Sequence, residues 1–139
     1  MQQNTGNAIE GIDEDFEALY AKALDARDRF WIEARLSGRL LYRGVAISRR
    51  GNSVDIYWLR FAYQRRELGP QAKPFKSRIR KGSRSFPRFS RAQMGKMEIW
   101  LEEMFHRYED EFEMLRLLMK ENRTMRRKLE RYAVLMERV

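Results

Sequence analysis

The stretch RLLYRGVAISRRGNSVDIYWLRFAY, residues 39–63, decides the fold of this 139-residue chain. β-Branched and aromatic residues flank the turn signal Arg50-Gly51-Asn52-Ser53, in which Gly51 and Asn52 both tolerate positive φ. We therefore predict a hairpin of two antiparallel strands, one over 40–49 and one over 54–63. The second strand carries large apolar residues on both faces. One face should pack on helices, and the other should contact a partner, a ligand or the following loop.

A helix is predicted on the N-terminal side of the hairpin. Asp13 is a good N-cap, further acidic residues follow it, and apolar residues then recur at helical spacing as far as the stop signal Ser37-Gly38. The helix is expected to span 13–36, after a flexible polar terminus at 1–12.

A longer helix, spanning 91–137, is predicted on the C-terminal side. Ser90 and Gln93 have the spacing of a capping box, and Phe89 and Met94 occupy the two positions of a hydrophobic staple. Apolar residues then recur every seven residues, as in a coiled coil, so we predict a seam through which two chains form a homodimer. The predicted seam residues are Leu101, Tyr108, Leu115, Leu118, Asn122, Met125 and Leu129.

The net charge of +9 comes from one segment between the hairpin and the last helix. Residues 64–91 hold ten Lys or Arg and one acidic residue, whereas the other 111 residues hold nineteen of each sign. Prolines and glycines interrupt the segment, so 64–90 is predicted to form a long basic loop, with a short strand or a helical turn near Phe75–Ile79. The predicted fold class is α+β: helix, antiparallel β-hairpin, basic loop and long helix in a single domain at 13–139.

The basic loop is suited to nucleic acid, because Lys and Arg that neutralise phosphates release bound counterions. Arginine outnumbers lysine five to three from residue 73 onward, which favours bidentate contacts to phosphate or guanine. We therefore predict DNA binding, with duplex DNA favoured, through Lys73, Lys76, Arg78, Arg80, Lys81, Arg84, Arg88 and Arg91. The residues expected to carry most of the affinity are Arg78, Arg80, Lys81 and Arg84. Secondary contacts are predicted at Arg65, Arg66, Arg123, Arg127 and Arg131.

Three other interpretations of the basic and aromatic residues stay open. The basic loop could be a merely solubilising surface, or it could pair with the acidic first half of the last helix. The chain could be a coiled-coil adaptor whose loop docks an acidic protein. It could also bind RNA, because the aromatic residues Tyr57, Trp58, Phe61 and Tyr63 are of the kind that stacks on unpaired bases.

Catalytic residues are scarce. His106 is the only histidine and there is no cysteine, so disulfides are excluded and a transition-metal site would need carboxylates almost alone. The nucleotide-binding and hydrolase motifs that glycine spacing would reveal do not occur. The chain lacks the features of a signal peptide and any apolar stretch long enough to cross a bilayer. We expect a cytoplasmic protein that is not an enzyme, requires no metal or cofactor and does not act at a membrane.

Three segments resemble a known family: the strand IYWLRF (56–61), the segment FKSRIRKGSRSFPRFSRAQ (75–93) and the helix WLEEMFHRYEDEFEMLRLL (100–118). They are similar to the MobI-type auxiliary conjugative transfer proteins of integrative conjugative elements and IncA/C-type plasmids. The resemblance covers about residues 37–130 and includes a basic I-x-K-G turn with a following proline. It implies a protein that acts at an origin of transfer, where it helps a relaxase to start DNA processing. The matching segments contain no catalytic signature, and the histidine cluster of a relaxase cannot be built from a single histidine.

Overall fold

The computed structural model describes residues 2–63, 74–82 and 87–139, with side chains from Asn4 onward. The elements within these ranges are α1 (Gln2–Leu36), β1 (Arg43–Arg50), β2 (Ser53–Ala62), β3 (Phe75–Arg78), α2 (Arg91–Met94) and α3 (Ile99–Glu137). The strands form one antiparallel sheet with the order β1-β2-β3. The predicted α+β class is therefore confirmed.

The hairpin forms as predicted, although its first strand begins at Arg43. Arg50 pairs with Ser53, which leaves Gly51 and Asn52 as a two-residue turn. Gly51 has a φ of +59°, a conformation that glycine adopts without the steric penalty of a Cβ.

The third strand extends the hairpin on the β2 edge. β3 pairs with the end of β2 in a register that runs from Leu59 opposite Arg78 to Ala62 opposite Phe75. Just after β3, the amide of Ile79 donates to the carbonyl of Trp58 at 2.9 Å. Of the two local structures expected here, the strand is the one that forms, and it fixes part of the basic loop against the sheet.

α1 and α3 form an antiparallel pair. Arg126 Nε lies 2.7 Å from Asp13 Oδ1 near the start of α1, and Arg29 Nη2 lies 2.7 Å from Glu111 Oε1 nearer its end. The two helices therefore run in opposite directions. This pair packs on the sheet, and the core lies between the two layers.

Trp58 of β2 lies at the centre of that core and is fully buried. Phe30 of α1 and Phe105 and Phe112 of α3 surround its indole ring, with ring centroids 5.2 to 6.2 Å away and the rings nearly perpendicular. Edge-to-face contacts of this kind add about 0.5–1.5 kcal/mol each beyond the burial of apolar area. One aromatic side chain therefore joins the sheet to both long helices.

The predicted start of the first helix at Asp13 is wrong, because α1 begins at Gln2. Asn122 of α3 donates from Nδ2 to the carbonyl of Ile12 at 2.9 Å, and Thr5 is buried. Packing against α3 thus holds turns whose composition alone suggests fraying.

The predicted continuous helix at 91–137 is also wrong. Its predicted capping box is present, since Ser90 Oγ accepts from the amide of Gln93 and Gln93 Oε1 accepts from the amide of Ser90. The helix then ends at Met94, because Gly95 has a φ of +76°, which a right-handed helix cannot continue. α3 starts separately at Ile99.

The predicted dimer seam is wrong for four of its residues. Leu101, Tyr108, Leu115 and Asn122 are buried inside the chain, where α1 and the sheet already cover them. The other predicted positions remain accessible: Leu118 and Met125 are 44% and 50% exposed, and Leu129 is half-buried. For these three residues a role in dimerisation stays a prediction.

Candidate nucleic-acid interface

A buried carboxylate fixes the basic loop to the body of the protein. Glu109 on α3 is fully buried and accepts hydrogen bonds from three different elements. Trp58 Nε1 of β2 donates to Glu109 Oε1 at 2.9 Å, and the amide of Phe89 donates to Glu109 Oε2 at 2.7 Å. Because a buried carboxylate needs several donors, this side chain holds strand, loop and helix in one arrangement.

Arg116, two turns further along α3, supplies the balancing charge. Its guanidinium donates to both oxygens of Glu109, at 2.7 and 3.1 Å, and to the carbonyls of Pro87 and Ile56 at 2.8 and 2.9 Å. It also lies over the ring of Phe89, 5.1 Å from the centroid. The side chain of Arg116 is only 11% exposed, so its main role is to hold the end of the loop.

A groove opens beside Arg116, between α3 and the sheet. It has a volume of about 190 Å³, and its basic lining residues are Lys81, Arg116, Lys120 and Arg123. Asp55 is the one carboxylate that lines it among the described residues. The groove therefore joins cations from two distant segments of the sequence, the basic loop and the middle of α3.

A second depression continues the groove on the side of β3. It has a volume of about 580 Å³, and it shares Lys81 and Asp55 with the groove. Arg78 and Arg80 add two more cations to its lining. We call the two depressions together the basic groove.

Two cations of the basic groove are placed to interact with an anion. Arg123 Nε is buried and meets no hydrogen-bond acceptor in the part of the chain that the structure describes. The pKa of Lys81 is lowered from its ordinary value, first by burial and second by the nearby Arg116 guanidinium. An anion in the groove would accept from the first group and favour the charged form of the second.

Gly82 follows Lys81 at the point where the loop passes the capping box of α2. A Cβ on this residue would lie 2.3 Å from Gln93 Nε2, which is closer than real Cβ contacts allow. The I-x-K-G turn therefore lies against the Gln93 side chain, and a larger residue in place of Gly82 would require that side chain to move.

Three of the predicted DNA-binding arginines are engaged in ion pairs within the chain. Arg78 contacts Asp55 and lies over Tyr57, with 4.1 Å to the ring centroid. The other two pair with acids of α3: Arg88 with Asp110 and Glu113, and Arg91 with Glu102. The interpretation that the loop pairs with the acidic half of the last helix therefore holds for Arg88 and Arg91. Exposed pairs contribute only about 0–1 kcal/mol, so a phosphate could replace these acids.

The remaining predicted residues are either exposed on the surface or lie outside the described ranges. Lys76 and Arg80 are exposed, and no ion pair engages either of them within the described ranges. Arg127 and Arg131 are exposed further along the α3 face that carries Lys120 and Arg123. Four predicted residues lie outside the described residues: Lys73, Arg84, Arg65 and Arg66.

The aromatic residues of β2 do not form an open stacking surface. Trp58 and Phe61 are buried, and Arg78 covers one side of Tyr57. Tyr63 donates its hydroxyl to the carbonyl of Leu41 at 2.8 Å. The hypothesis that these rings bind unpaired RNA bases loses its structural basis.

The sequence interpretation missed the Glu109–Arg116 pair. A signal was present, because Phe105, Glu109, Phe112 and Arg116 follow one another at the spacing of a single helix face. Two charged residues in line with two core phenylalanines indicate a buried pair. The meeting of Lys81 with Lys120 carries no local signal, since it depends on the path of the loop.

Metal binding and membrane insertion both require structural features that can be looked for directly. Within residues 2–63, 74–82 and 87–139, no three His, Asp or Glu side chains come together in a way that could hold a metal ion. Over the same ranges, no helix combines the length and apolar character needed to cross a bilayer.

Comparison with known proteins gives one finding. A family model described as "MobI protein" matches residues 19–130. No curated protein and no solved structure gives a significant match. The matched range contains the hairpin, the basic groove and the Glu109–Arg116 pair.

Proposed function

This chain belongs to the MobI family, whose members are accessory proteins of conjugative transfer, and from that premise we propose that it binds duplex DNA through the basic groove. The observation that carries the proposal is the convergence of Lys81 from the loop with Lys120 and Arg123 from α3, where Arg123 Nε meets no acceptor among the described residues. Such an arrangement suits phosphate oxygens, which accept several charge-assisted hydrogen bonds at once.

The dimensions of α3 suit a DNA backbone. The basic stripe from Lys120 to Arg131, which is exposed except at the half-buried Arg123, rises by about 17 Å along the helix axis. A strand of duplex DNA carries one phosphate per roughly 3.4 Å of helix axis, so the stripe could follow about five phosphates. Lys81 and Arg80 extend the charged surface beyond one end of the stripe. We propose that these contacts fix the protein on duplex DNA at an origin of transfer.

The proposed role there is to assist a relaxase without cutting DNA. One histidine cannot supply the histidine cluster of such nickases, so the strand cleavage is assigned to the partner enzyme. Incubating the pure protein with supercoiled origin DNA and Mg²⁺ tests this assignment. The plasmid should stay supercoiled, and protein-dependent nicking would contradict the non-catalytic role.

Dimerisation is the second part of the proposal. Leu118, Met125 and Tyr132 lie seven residues apart on α3 and are 44 to 51% exposed. A neighbouring groove between α1 and α3 is lined by Ile12 and Leu19, so a second copy could extend the apolar contact. Sedimentation equilibrium should give twice the 16.8 kDa mass of the chain, and a mass of one chain at micromolar concentration would refute the dimer.

A matched pair of double variants tests DNA binding. Lys120→Gln/Arg123→Gln removes two charges from the basic groove, and Lys22→Gln/Arg35→Gln removes two exposed charges from α1. By fluorescence anisotropy with a 30-base-pair duplex, we expect the first to weaken binding at least tenfold, which corresponds to about 1.4 kcal/mol. The control should change it less than threefold. Equal losses in the two variants would refute the groove as the binding site, provided that both retain the parent's melting temperature.

A further inference from the structure

Arg43, the first residue of β1, is a buried arginine held by backbone carbonyls. It is 7% exposed. Nε donates to the carbonyl of Met94 at 2.9 Å and Nη1 to that of Tyr42 at 2.8 Å, and Nη2 makes a longer bond of 3.4 Å to Lys96. These bonds use three of the five N–H groups of a guanidinium. They fix its position but do not balance its charge.

A second arginine lies beside it. Arg43 pairs with Arg60 across the hairpin. The Nη2 atoms of both residues lie within 3.3 Å of the point where a Cβ on Gly95 would be. In the described ranges, no carboxylate lies within ion-pair distance of either guanidinium. Burial lowers the pKa of Arg43, and repulsion from Arg60 lowers it further. Among the residues that the structure describes, the two like charges are therefore uncompensated, and an anion would stabilise them.

A pocket of about 450 Å³ opens next to this arginine pair. The basic part of its lining comes from Arg43 and Lys96, and the apolar part comes from Tyr42, Met97, Trp100 and Leu101. Tyr42 is 40% exposed and Trp100 is half-buried, so each side chain keeps an exposed part for an incoming group.

Glu98 also lines the pocket, but its carboxylate has other partners. It accepts from Trp100 Nε1 at 2.7 Å and lies 3.6 Å from Arg39. Arg39 in turn lies over the indole ring of Trp100, 5.2 Å from the centroid. The acid thus orients the wall of the pocket and leaves the arginine pair uncompensated.

We infer that this pocket docks a partner protein through a short segment in which an acidic side chain adjoins a large apolar one. The carboxylate would accept from the guanidinium of Arg43 and pair with Lys96, and the apolar side chain would pack on Met97 and Trp100. The apolar walls and the nearby Glu98 favour such a peptide over a nucleic-acid backbone, which carries phosphates without apolar side chains.

The pocket shares no lining residue with the basic groove, and the inference does not depend on DNA binding. Leu101 lines the pocket and Lys120 lines the groove, and the two residues are roughly 28 Å apart along α3. Both sites could therefore be occupied at once. A protein with this arrangement would tether a partner to the DNA that it holds.

Two blocked tripeptides that differ in a single charge test the inference. Acetyl-Leu-Asp-Phe-amide and acetyl-Leu-Asn-Phe-amide are titrated into the ¹⁵N-labelled full chain, and the Trp100 indole N–H signal is followed by NMR. That signal is assigned as the one missing from Trp100→Phe. The site variant is Lys96→Glu, and Lys22→Glu is the control, because both change an exposed lysine to glutamate.

We expect the aspartate peptide to shift the Trp100 signal and to bind at least fivefold more tightly than the asparagine peptide. Lys96→Glu should weaken the aspartate peptide at least fivefold, and Lys22→Glu should change it less than twofold. Equal binding of the two peptides, no shift at millimolar concentration, or equal losses in the two variants would overturn the inference. So would a duplex oligonucleotide that shifts the same signal more strongly than the peptide does, since it would assign the pocket to nucleic acid.

Discussion

The Glu109–Arg116 pair gives the most demanding test of the fold. Glu109→Gln keeps the shape of the side chain, but it removes the charge and replaces one accepting oxygen with an N–H₂ group. In the parent protein, each oxygen of the fully buried Glu109 carboxylate accepts from Arg116 and from one further donor, Trp58 Nε1 or the amide of Phe89. In the variant, the N–H₂ group would face the two donors of one oxygen and could accept from neither. Arg116 would also keep an uncompensated charge, with a side chain that is 11% exposed.

The size of the effect follows from those contacts. Removing one partner of a buried ion pair costs about 3–5 kcal/mol. Domains of this size have a free energy of unfolding of about 5–15 kcal/mol, so Glu109→Gln should remove a large fraction of it. The control is Glu113→Gln, the same change one turn further along α3. There the carboxylate and its partner Arg88 are both about 30% exposed, and the expected loss is about 0–1 kcal/mol.

Urea unfolding followed by tryptophan fluorescence measures both variants. A double variant, Glu109→Gln/Arg116→Met, should recover part of the loss, because it removes the uncompensated charge along with its partner. A loss below 1 kcal/mol for Glu109→Gln, or a loss equal to that of Glu113→Gln, would refute the assignment of Glu109 as the residue that joins loop, strand and helix.

The remaining predictions concern two glycines and one lysine. Gly44→Ala should lower the free energy of unfolding by about 1–3 kcal/mol, since a Cβ would lie 2.6 and 2.7 Å from the rings of Trp31 and Phe61. Gly11→Ala should raise it by about 0.5–1 kcal/mol, because this glycine lies inside α1 with open space around it; no gain in urea unfolding would contradict the helix start at Gln2. The lowered pKa of Lys81 means that its charge opposes folding below that pKa, so Lys81→Met should be more stable than the parent at pH 7. The difference in urea midpoint should shrink as the pH rises from the folded pKa toward 10.5, and a constant difference would contradict the cause assigned to the shift.

The parts of the fold that local chemistry determines were predictable from sequence. The turn at Gly51, the hairpin on either side of it and the capping box at Ser90 each depend on residues within a few positions of one another. The family resemblance also rested on contiguous segments, and the match over residues 19–130 confirms it.

The predictions that proved wrong concern features that depend mainly on packing between residues distant in the sequence. The heptad pattern of α3 correctly indicates an apolar face, but periodicity does not identify what covers it, and here α1 of the same chain covers much of it. For the same reason the N-terminal turns of α1 looked polar and frayed, although α3 holds them. At Gly95, the capping box favoured a long helix, and the positive φ of one glycine ended it.

In the candidate site, too, individual residues were predictable from the sequence, but their arrangement in space was not. The sequence identified Lys81 and Arg123 separately, as a loop residue and a secondary helix residue. Their convergence in one groove depends on the Glu109–Arg116 pair and on the close approach of Gly82 to Gln93. The helix-face spacing of Glu109 and Arg116 indicates the pair, but nothing in the sequence shows where the loop meets α3, so the groove emerges only once the chain is folded.

The salt dependence of duplex DNA binding tests the central claim most directly. From 50 to 300 mM salt, the logarithm of the binding constant should fall with the logarithm of salt concentration. Three phosphate contacts, from Lys81, Lys120 and Arg123, predict a slope at least as steep as about −2.7. Lys120→Gln/Arg123→Gln should flatten that slope by about 1.8. A flat dependence for the parent protein, or an unchanged slope for the double variant, would contradict the assignment of the basic groove to DNA.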